Sequence, residues 1–484
     1  MPVPSPAPGK GSASPGLLAA VLVFLAVEST AVASLGTPLL PTVQQAEHVS
    51  LAASQWALTV TLLTGAVATP LMGRLGDGRL RRRTTIGAVA VMLAGCVLSA
   101  LPAGFAVFLA GRALQGAGLG LVPLATAVAR DGLPAQRSRH TIALIGVTTA
   151  VGIGVGYPLA GLLAQGLGLS APFWFVAALS VVALVAAVAV LPDSPSRPPR
   201  IDAAGAVMLG AGIAGLLLVL TEGQAWGWTS ATTLASGVIS AALLAAWAVW
   251  ELRARHPLIE LRLLRRRPVL AANLTVFLIA VGFYPLAPLV VRFAQTPPVA
   301  GYGFGAPVVV AAAMLTPFSL ASFAASKIAP RAARRTTAEL VVAVSCLVLI
   351  ASAVLFLLAR GTYAGIVAAM SLNGFGVGSV YAVNPLQITG GVPAAETGSA
   401  ISFYQLNRTV AYSIASALSA TILILGTPAG HAVPAGAAYS AAALASAAVL
   451  AAALVVSSIF AVAARRPETA SAPATGAGSA TAPS

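Results

Sequence analysis

The chain has 484 residues, 58% of them hydrophobic and 8% charged, where soluble domains carry about 25% charged residues, so a water-soluble globular fold is excluded. Cys96 and Cys346 lie in apolar runs, and His48, His140, His256 and His431 fall in polar connections or at the edges of such runs, so neither a disulfide framework nor a metal cluster has the spacing it needs. The net charge of +15 raises the question of a nucleic-acid partner, and the placement of the charges answers it.

In chain order, residues 1–15 are rich in Pro, Ser and Gly and read as a disordered tail. A hydrocarbon core about 30 Å thick needs about 20 apolar residues in helical form, and segments of that length recur along the chain. The first, 16–36, is interrupted by Glu28; Ala31, Val32 and Ala33 resemble a cleavage site, but the spans that follow make an uncleaved first helix the expectation. Span 52–72 leads into a connection with Arg74, Asp77, Arg79, Arg81, Arg82 and Arg83, and spans 84–102 and 105–128 follow, the latter holding Arg112 and Gln115. Span 141–165 carries Gly152, Gly156, Pro158 and Gly161, and 171–191 completes a first group of six. Spans 203–221 and 231–250 come next, with Trp226 and Trp228 in the connection between them and Trp247 and Trp250 at the far end, as an interfacial aromatic belt requires. A second group of six is 269–291, 305–326, 337–359, 363–388, 399–425 and 438–463; Asn373, Tyr381 and Asn384 lie in the fourth of these and Gln405, Arg408 and Tyr412 in the fifth. The last residues, 465–484, again read as a flexible tail.

The fold expected is an all-α membrane protein of about fourteen transmembrane helices: an N-terminal six-helix bundle at 16–191, two inserted helices within 192–268, and a C-terminal six-helix bundle at 269–464. The positive-inside rule tests the span count, because a wrong number scrambles the alternation of basic and uncharged connections. One set of connections carries Lys10, the five arginines from Arg74 to Arg83, Arg130, Arg137, Arg139, Arg197, Arg200, the six from Arg253 to Arg267, Lys327, Arg331, Arg334, Arg335, Arg465 and Arg466. The alternate set holds Arg292 and Arg360, so both termini are expected in the cytoplasm. The net charge is then a topology signal and a contact for anionic lipid, with no nucleic-acid partner implied.

The chain also resembles itself. Arg79 to Thr85 matches Arg331 to Thr337, and Leu114 to Gly120 (LQGAGLG) matches Leu372 to Gly378 (LNGFGVG), in the same direction. Same-direction repeats with an even number of spans imply two bundles related about an axis along the membrane normal, with pseudo-two-fold symmetry and substrate between them.

These residues resemble the major facilitator superfamily, and within it the fourteen-span drug:proton antiporter branch. The stretch Gly73 to Arg83, with Asp77, Arg81 and Arg82, resembles the signature between the second and third spans, with Leu80 standing where the family usually has Gly. Phe108 to Gly120 resembles the fourth-span pattern, and Gly152 to Gly161 the antiporter pattern of the fifth span, departing from it at Tyr157. The resemblance implies proton-coupled efflux of small amphipathic molecules across the cytoplasmic membrane by alternating access, by a monomer without a cofactor. It implies that Asp77, supported by Arg81 and Arg82, latches the inner mouth against span thirteen.

Ionisable groups inside spans cost roughly 2.5–3.5 kcal/mol on insertion scales and need a partner or a hydrated cavity. Glu28, Arg112 and Arg408 are such groups, and Gln115, Gln405 and Tyr412 extend the two arginines into polar stripes expected to face a central cavity. Asn373, Tyr381 and Asn384 form a comparable stripe. Glu28 stands where the antiporter branch commonly has Asp, which points to proton carriage; the alternative is a static Glu28 to Arg112 ion pair. A symporter or uniporter for a small solute is the competing transport reading. An intramembrane enzyme lacks its constellation, since the spans contain no His, no paired carboxylates and no Gly-x-Ser-x-Gly.

Overall fold

A computed structural model of the chain describes residues 14–49, 51–76, 80–193, 202–254, 257, 259–392, 397–428 and 433–464. Asp77, residues 1–13 and the tail 465–484 lie outside the described residues, as do the surroundings of Gly152. Ser14 and Pro15, expected in the tail, instead open the first helix: the Ser14 hydroxyl accepts from the Leu17 amide at 3.3 Å, and proline suits the first helical turn.

Every described element is helical. The first group is α1 (Pro15–Ser34), α2 (Gly36–Ala46), α3 (Leu51–Gly76), α4 (Arg81–Ala100), α5 (Phe105–Ala117), α6 (Leu121–Gly132), α7 (Ala135–Leu167) and α8 (Ser170–Val190). The inserted pair is α9 (Ala203–Trp226) and α10 (Ala231–Arg253). The second group is α11 (Arg267–Phe283), α12 (Leu286–Gln295), α13 (Val308–Ala313), α14 (Thr316–Arg335), α15 (Ala338–Ala359), α16 (Tyr363–Gly391), α17 (Thr397–Leu425) and α18 (Gly436–Ala464).

Twelve helical segments among the described residues are long and apolar enough to cross a membrane, against the fourteen expected. The other two expected spans fall on α7 and on α9, whose apolar run is Ala204–Leu220. Caps fix several ends: Thr337 and Thr362 accept from the amides of Leu340 and Gly365, and the Asp202 carboxylate accepts from the Gly205 amide at 2.9 Å. Some spans that read as single runs are broken. The first passes from α1 to α2 at Leu35, the fourth from α5 to α6 through a 3₁₀ turn at Gly118–Gly120, and the ninth from α11 to α12 at Tyr284 and Pro285.

Two buried cores follow the two groups. One is built from α1 to α8, with Leu25, Met92, Leu121, Phe108 and Phe173 among its buried side chains. The other is built from α11 to α18 around Phe283, Phe293, Phe318, Phe356 and Tyr439, and Tyr157 of α7 joins it from the opposite half. Outward faces are apolar: Val181, Val185 and Val188 of α8, Val238 and Ile239 of α10 and Val455 and Ile459 of α18 are exposed, as side chains bordering lipid would be. The halves meet where α7 packs on α13 and α14 and where α3 packs on α17, and α9 lies against both α3 and α17. Trp247 belongs to this last contact, buried with Leu209, Ile213 and Leu406; it is a packing residue and not part of an interfacial belt. Trp250 is exposed and donates to Asp202 at 2.8 Å.

The internal repeat is reproduced in packing. A Cβ on Gly116 would meet Thr64 of α3, one on Gly118 would meet Met92 of α4, and one on Gly120 would meet Met72 of α3. In the second half a Cβ on Gly374 would meet Phe318 of α14, one on Gly376 would meet Leu349 of α15, and one on Gly378 would meet Ser322 of α14. Glycine at these places lets helix backbones approach where lipid supplies no hydrophobic drive, and both halves use it in the same order against corresponding neighbours.

Candidate functional site

Glu28 sits mid-way along α1 with 0% exposure. Neither carboxyl oxygen has a hydrogen-bond partner, and the Ser180 hydroxyl of α8 lies beside it without hydrogen-bond geometry. Cys96 of α4 stands within electrostatic reach of both Glu28 and Arg112, yet those two form no ion pair. The static pair is therefore absent, and Glu28 is a buried carboxyl without a hydrogen-bond partner, a setting that accommodates the neutral, protonated group.

Arg112 of α5 is fully enclosed. Its Nε donates to the Ala57 carbonyl of α3 at 3.0 Å and its Nη1 to Gln115 Oε1 at 2.5 Å, while Nη2 has no partner. Gln115 Nε2 in turn donates to Gly95 O and to Ser99 Oγ of α4, each at 3.2 Å. The Arg112 to Gln115 stripe thus exists, but it is closed in by α3 and α4 and does not open onto a cavity. The Phe173 ring of α8 completes the enclosure, 5.9 Å from the guanidinium carbon.

Arg408 of α17 is set differently. Its guanidinium lies 4.5 Å from the Tyr381 ring centroid and 5.8 Å from that of Tyr412, and it makes no hydrogen bond or ion pair among the described residues. The two tyrosine hydroxyls are hydrogen-bonded to each other, Phe283 meets both rings edge-on, and Tyr284 stacks on Tyr412 at 4.5 Å. Arg408, Gln405, Tyr381, Tyr412 and Tyr284 are all partly accessible, whereas Asn384 is fully buried. Asn384 donates to the Ala272 carbonyl at 3.2 Å, and Asn407 donates to Asn273 O at 2.8 Å. Asn373 is buried three turns away along α16, apart from this group. Leu406 faces the α9 contact, which puts Arg408 on the opposite side of α17, inside the C-terminal bundle.

The conformational motifs separate as well. Arg81 pairs with Asp131 at 2.6 Å, Arg130 reaches the other oxygen of Asp131 at 2.9 Å, and Arg82 donates to the carbonyls of Leu191 and Val188. Arg81 and Arg82 therefore tie the start of α4 to the ends of α6 and α8, and Gly73 lies at the last turn of α3. Asp131 was not singled out in the sequence, although a lone acid beside Arg130 carries the same signal as Asp77. In α7, Gly156 admits Ser34 of α1, whose Cβ would lie 2.9 Å from an added Cβ, and Gly161 faces Ala312 and Val309 across the seam. The helix runs through Pro158 between them. No group of His, Cys, Asp and Glu among the described residues is placed to hold a metal ion.

A polytopic helical membrane protein of two repeated halves, with Glu28 and Arg112 buried in the first and Arg408 partly enclosed in the second, is the class that this fold and site define. The chain belongs to the Major Facilitator Superfamily, which it matches over residues 18–416. It is 32% identical over 291 residues to the tetracenomycin C resistance and export protein of Streptomyces glaucescens, covering 58% of this chain and 52% of that one. It is 26% identical over 223 residues to the lincomycin resistance protein LmrB of Listeria monocytogenes, covering 46% and 47%. The chain spans about half the length of the curated relatives it matches. Among solved structures, the human organic anion transporter MFSD10 superposes with a TM-score of 0.63 at 18% identity, covering 92% of this chain and 100% of that one, a likeness of fold.

Proposed function

We propose that this protein exports small amphipathic molecules across the cytoplasmic membrane, driven by protons and working by alternating access. The observation that carries the coupling is Glu28: a carboxyl buried mid-span, with both oxygens unpartnered and no ion pair to Arg112. Such a group is stable when neutral inside the bundle and ionises when a change of conformation brings it to water, which is what a proton carrier must do. The relatives named for tetracenomycin C resistance and export and for lincomycin resistance support the direction of transport.

In this reading the chain crosses the membrane fourteen times, with α7 and α9 as crossings, both termini in the cytoplasm and one chain sufficient for transport. The domains divide at 16–191, 192–268 and 269–464, and Asp77 with Arg81 and Arg82 closes the inner mouth. Tyr381, Gln405, Arg408 and Tyr412 border the substrate path in this state, and Arg112, Gln115, Asn373 and Asn384, closed in here, reach it only when the halves rock. Everted vesicles carrying a pH-sensitive dye test this directly. Addition of a transported compound should dissipate the imposed proton gradient, and Glu28→Gln should abolish that response while the protein remains inserted. An undiminished response from Glu28→Gln refutes Glu28 as the carrier, and inward flow of solute with protons selects the symporter.

A further inference from the structure

Arg408 differs from Arg112 in what surrounds it. Two acceptors, Ala57 O and Gln115 Oε1, engage Arg112. For Arg408 the described residues supply none: Nε is buried without a partner, and the polar groups within electrostatic reach are the hydroxyls of Tyr412, Tyr381 and Tyr404, with no carboxylate among them. A partly enclosed guanidinium with no counter-anion at hand invites one, and the planar group is recognised by planar carboxylates through paired hydrogen bonds.

The walls narrow the class further. Tyr381 and Tyr412 present ring faces to the guanidinium, and Phe283 and Tyr284 back those rings by edge and stacking contacts, an aromatic surface suited to a flat aromatic body by offset or edge contact. Tyr157 of α7 lies in the same buried cluster as Phe283 and within electrostatic reach of Tyr284, so one wall comes from the opposite half. Gln405 Oε1 is an unpartnered buried acceptor one turn away on the same helix, placed to take a hydrogen bond from a hydroxyl on the ligand.

We infer that the Arg408 tyrosine cage is a binding site for planar aromatic anions, namely aryl carboxylates and phenolates. This rests on the exporter reading only for the direction in which such a ligand moves. Its binding chemistry stands apart from proton coupling.

The test uses the purified full chain in zwitterionic nanodiscs, with calorimetric titration of naphthoate and of its neutral amide, naphthamide. A charge-assisted pair to Arg408 should make naphthoate bind about tenfold or more tighter than naphthamide. Arg408→Gln should erase that preference, and Arg408→Lys should keep part of it. Equal binding of the two probes by the unaltered protein, binding of neither at millimolar concentration, or a preference that survives Arg408→Gln each overturns the assignment. The first two readings need no variant, so a misfolded substitution leaves the test intact. Failure here would leave a Glu28-dependent proton response unaffected, whereas loss of that response with naphthoate binding preserved would refute only the exporter.

Discussion

Replacing Gly374 by alanine puts the repeated glycine packing to a quantitative test. A Cβ at Gly374 would stand 2.5 Å from the carbonyl carbon of Phe318 and 2.6 Å from its Cα, where ordinary contacts lie at 3.4–4 Å. The obstacle is backbone, which cannot rotate aside as a side chain can, so α14 and α16 must separate by on the order of 1 Å. Overpacking of this kind costs about 1–3 kcal/mol, and alanine returns up to about 1 kcal/mol of helix propensity, leaving a net loss of about 1–2 kcal/mol. Gly87 of α4 is the control, because an added Cβ there meets nothing within 4 Å and Gly87→Ala should be neutral or stabilising by up to about 1 kcal/mol. The difference of about 1–3 kcal/mol corresponds to roughly a 5- to 150-fold change in the unfolding equilibrium. Unfolding midpoints in dodecylmaltoside–SDS mixed micelles, followed by tryptophan fluorescence, resolve such a gap. Gly116→Ala should fall beside Gly374→Ala, since the same position of the repeat is filled. Coincident midpoints for Gly374→Ala and Gly87→Ala would refute the reasoning.

Gln115→Leu removes the acceptor of Arg112 Nη1 and a hydrogen bond to Ser99, and should cost about 1–3 kcal/mol in the same titration; an unchanged midpoint would mean that the Arg112 network is not formed. Asp131→Asn weakens the contacts to Arg81 and Arg130, and because Asp131 is 41% exposed the expected loss is below about 1 kcal/mol and shrinks further in high salt. Cys96 and Cys346 are buried and unpaired, so N-ethylmaleimide should leave both unmodified in the folded protein and label both after unfolding, as mass spectrometry of the intact chain would show.

The halves of the fold were legible because lipid imposes a length on apolar runs and the charged connections alternate. The repeat was legible because Gly116, Gly118 and Gly120 recur as Gly374, Gly376 and Gly378, and small residues leave a pattern wherever helices touch. The breaks within spans were not. Tyr284 and Pro285 sit in an uninterrupted apolar run, and only the packing of α12 shows that the helix stops there. Arg112 and Gln115 stood out at depth, but the other acceptor of Arg112 is the Ala57 carbonyl, and a backbone acceptor has no identity to read. Tyr381 and Tyr412 were found as members of polar stripes, while Phe283 and Tyr284, which pack on the tyrosines beside Arg408, read as ordinary apolar residues of the ninth span. Trp247 shows the opposite error, since an indole near a helix end fits a membrane interface equally well until Leu209, Ile213 and Leu406 are found around it.

The inserted pair bears on how the halves can move. Because α9 touches both α3 and α17, and meets them through Leu209, Ile213 and Leu217, it lies across the joint as an aliphatic bearing strip. Branched hydrocarbon chains without directional bonding let neighbours slide over small distances at little enthalpic cost. The hydrogen bond from Trp56 to Glu222, 2.7 Å long, pins one end of that strip to α3. Were the two halves to rock, α9 would travel with the N-terminal side and shear along α17, with Phe403, Leu406 and Val410 as the α17 side of the slip plane.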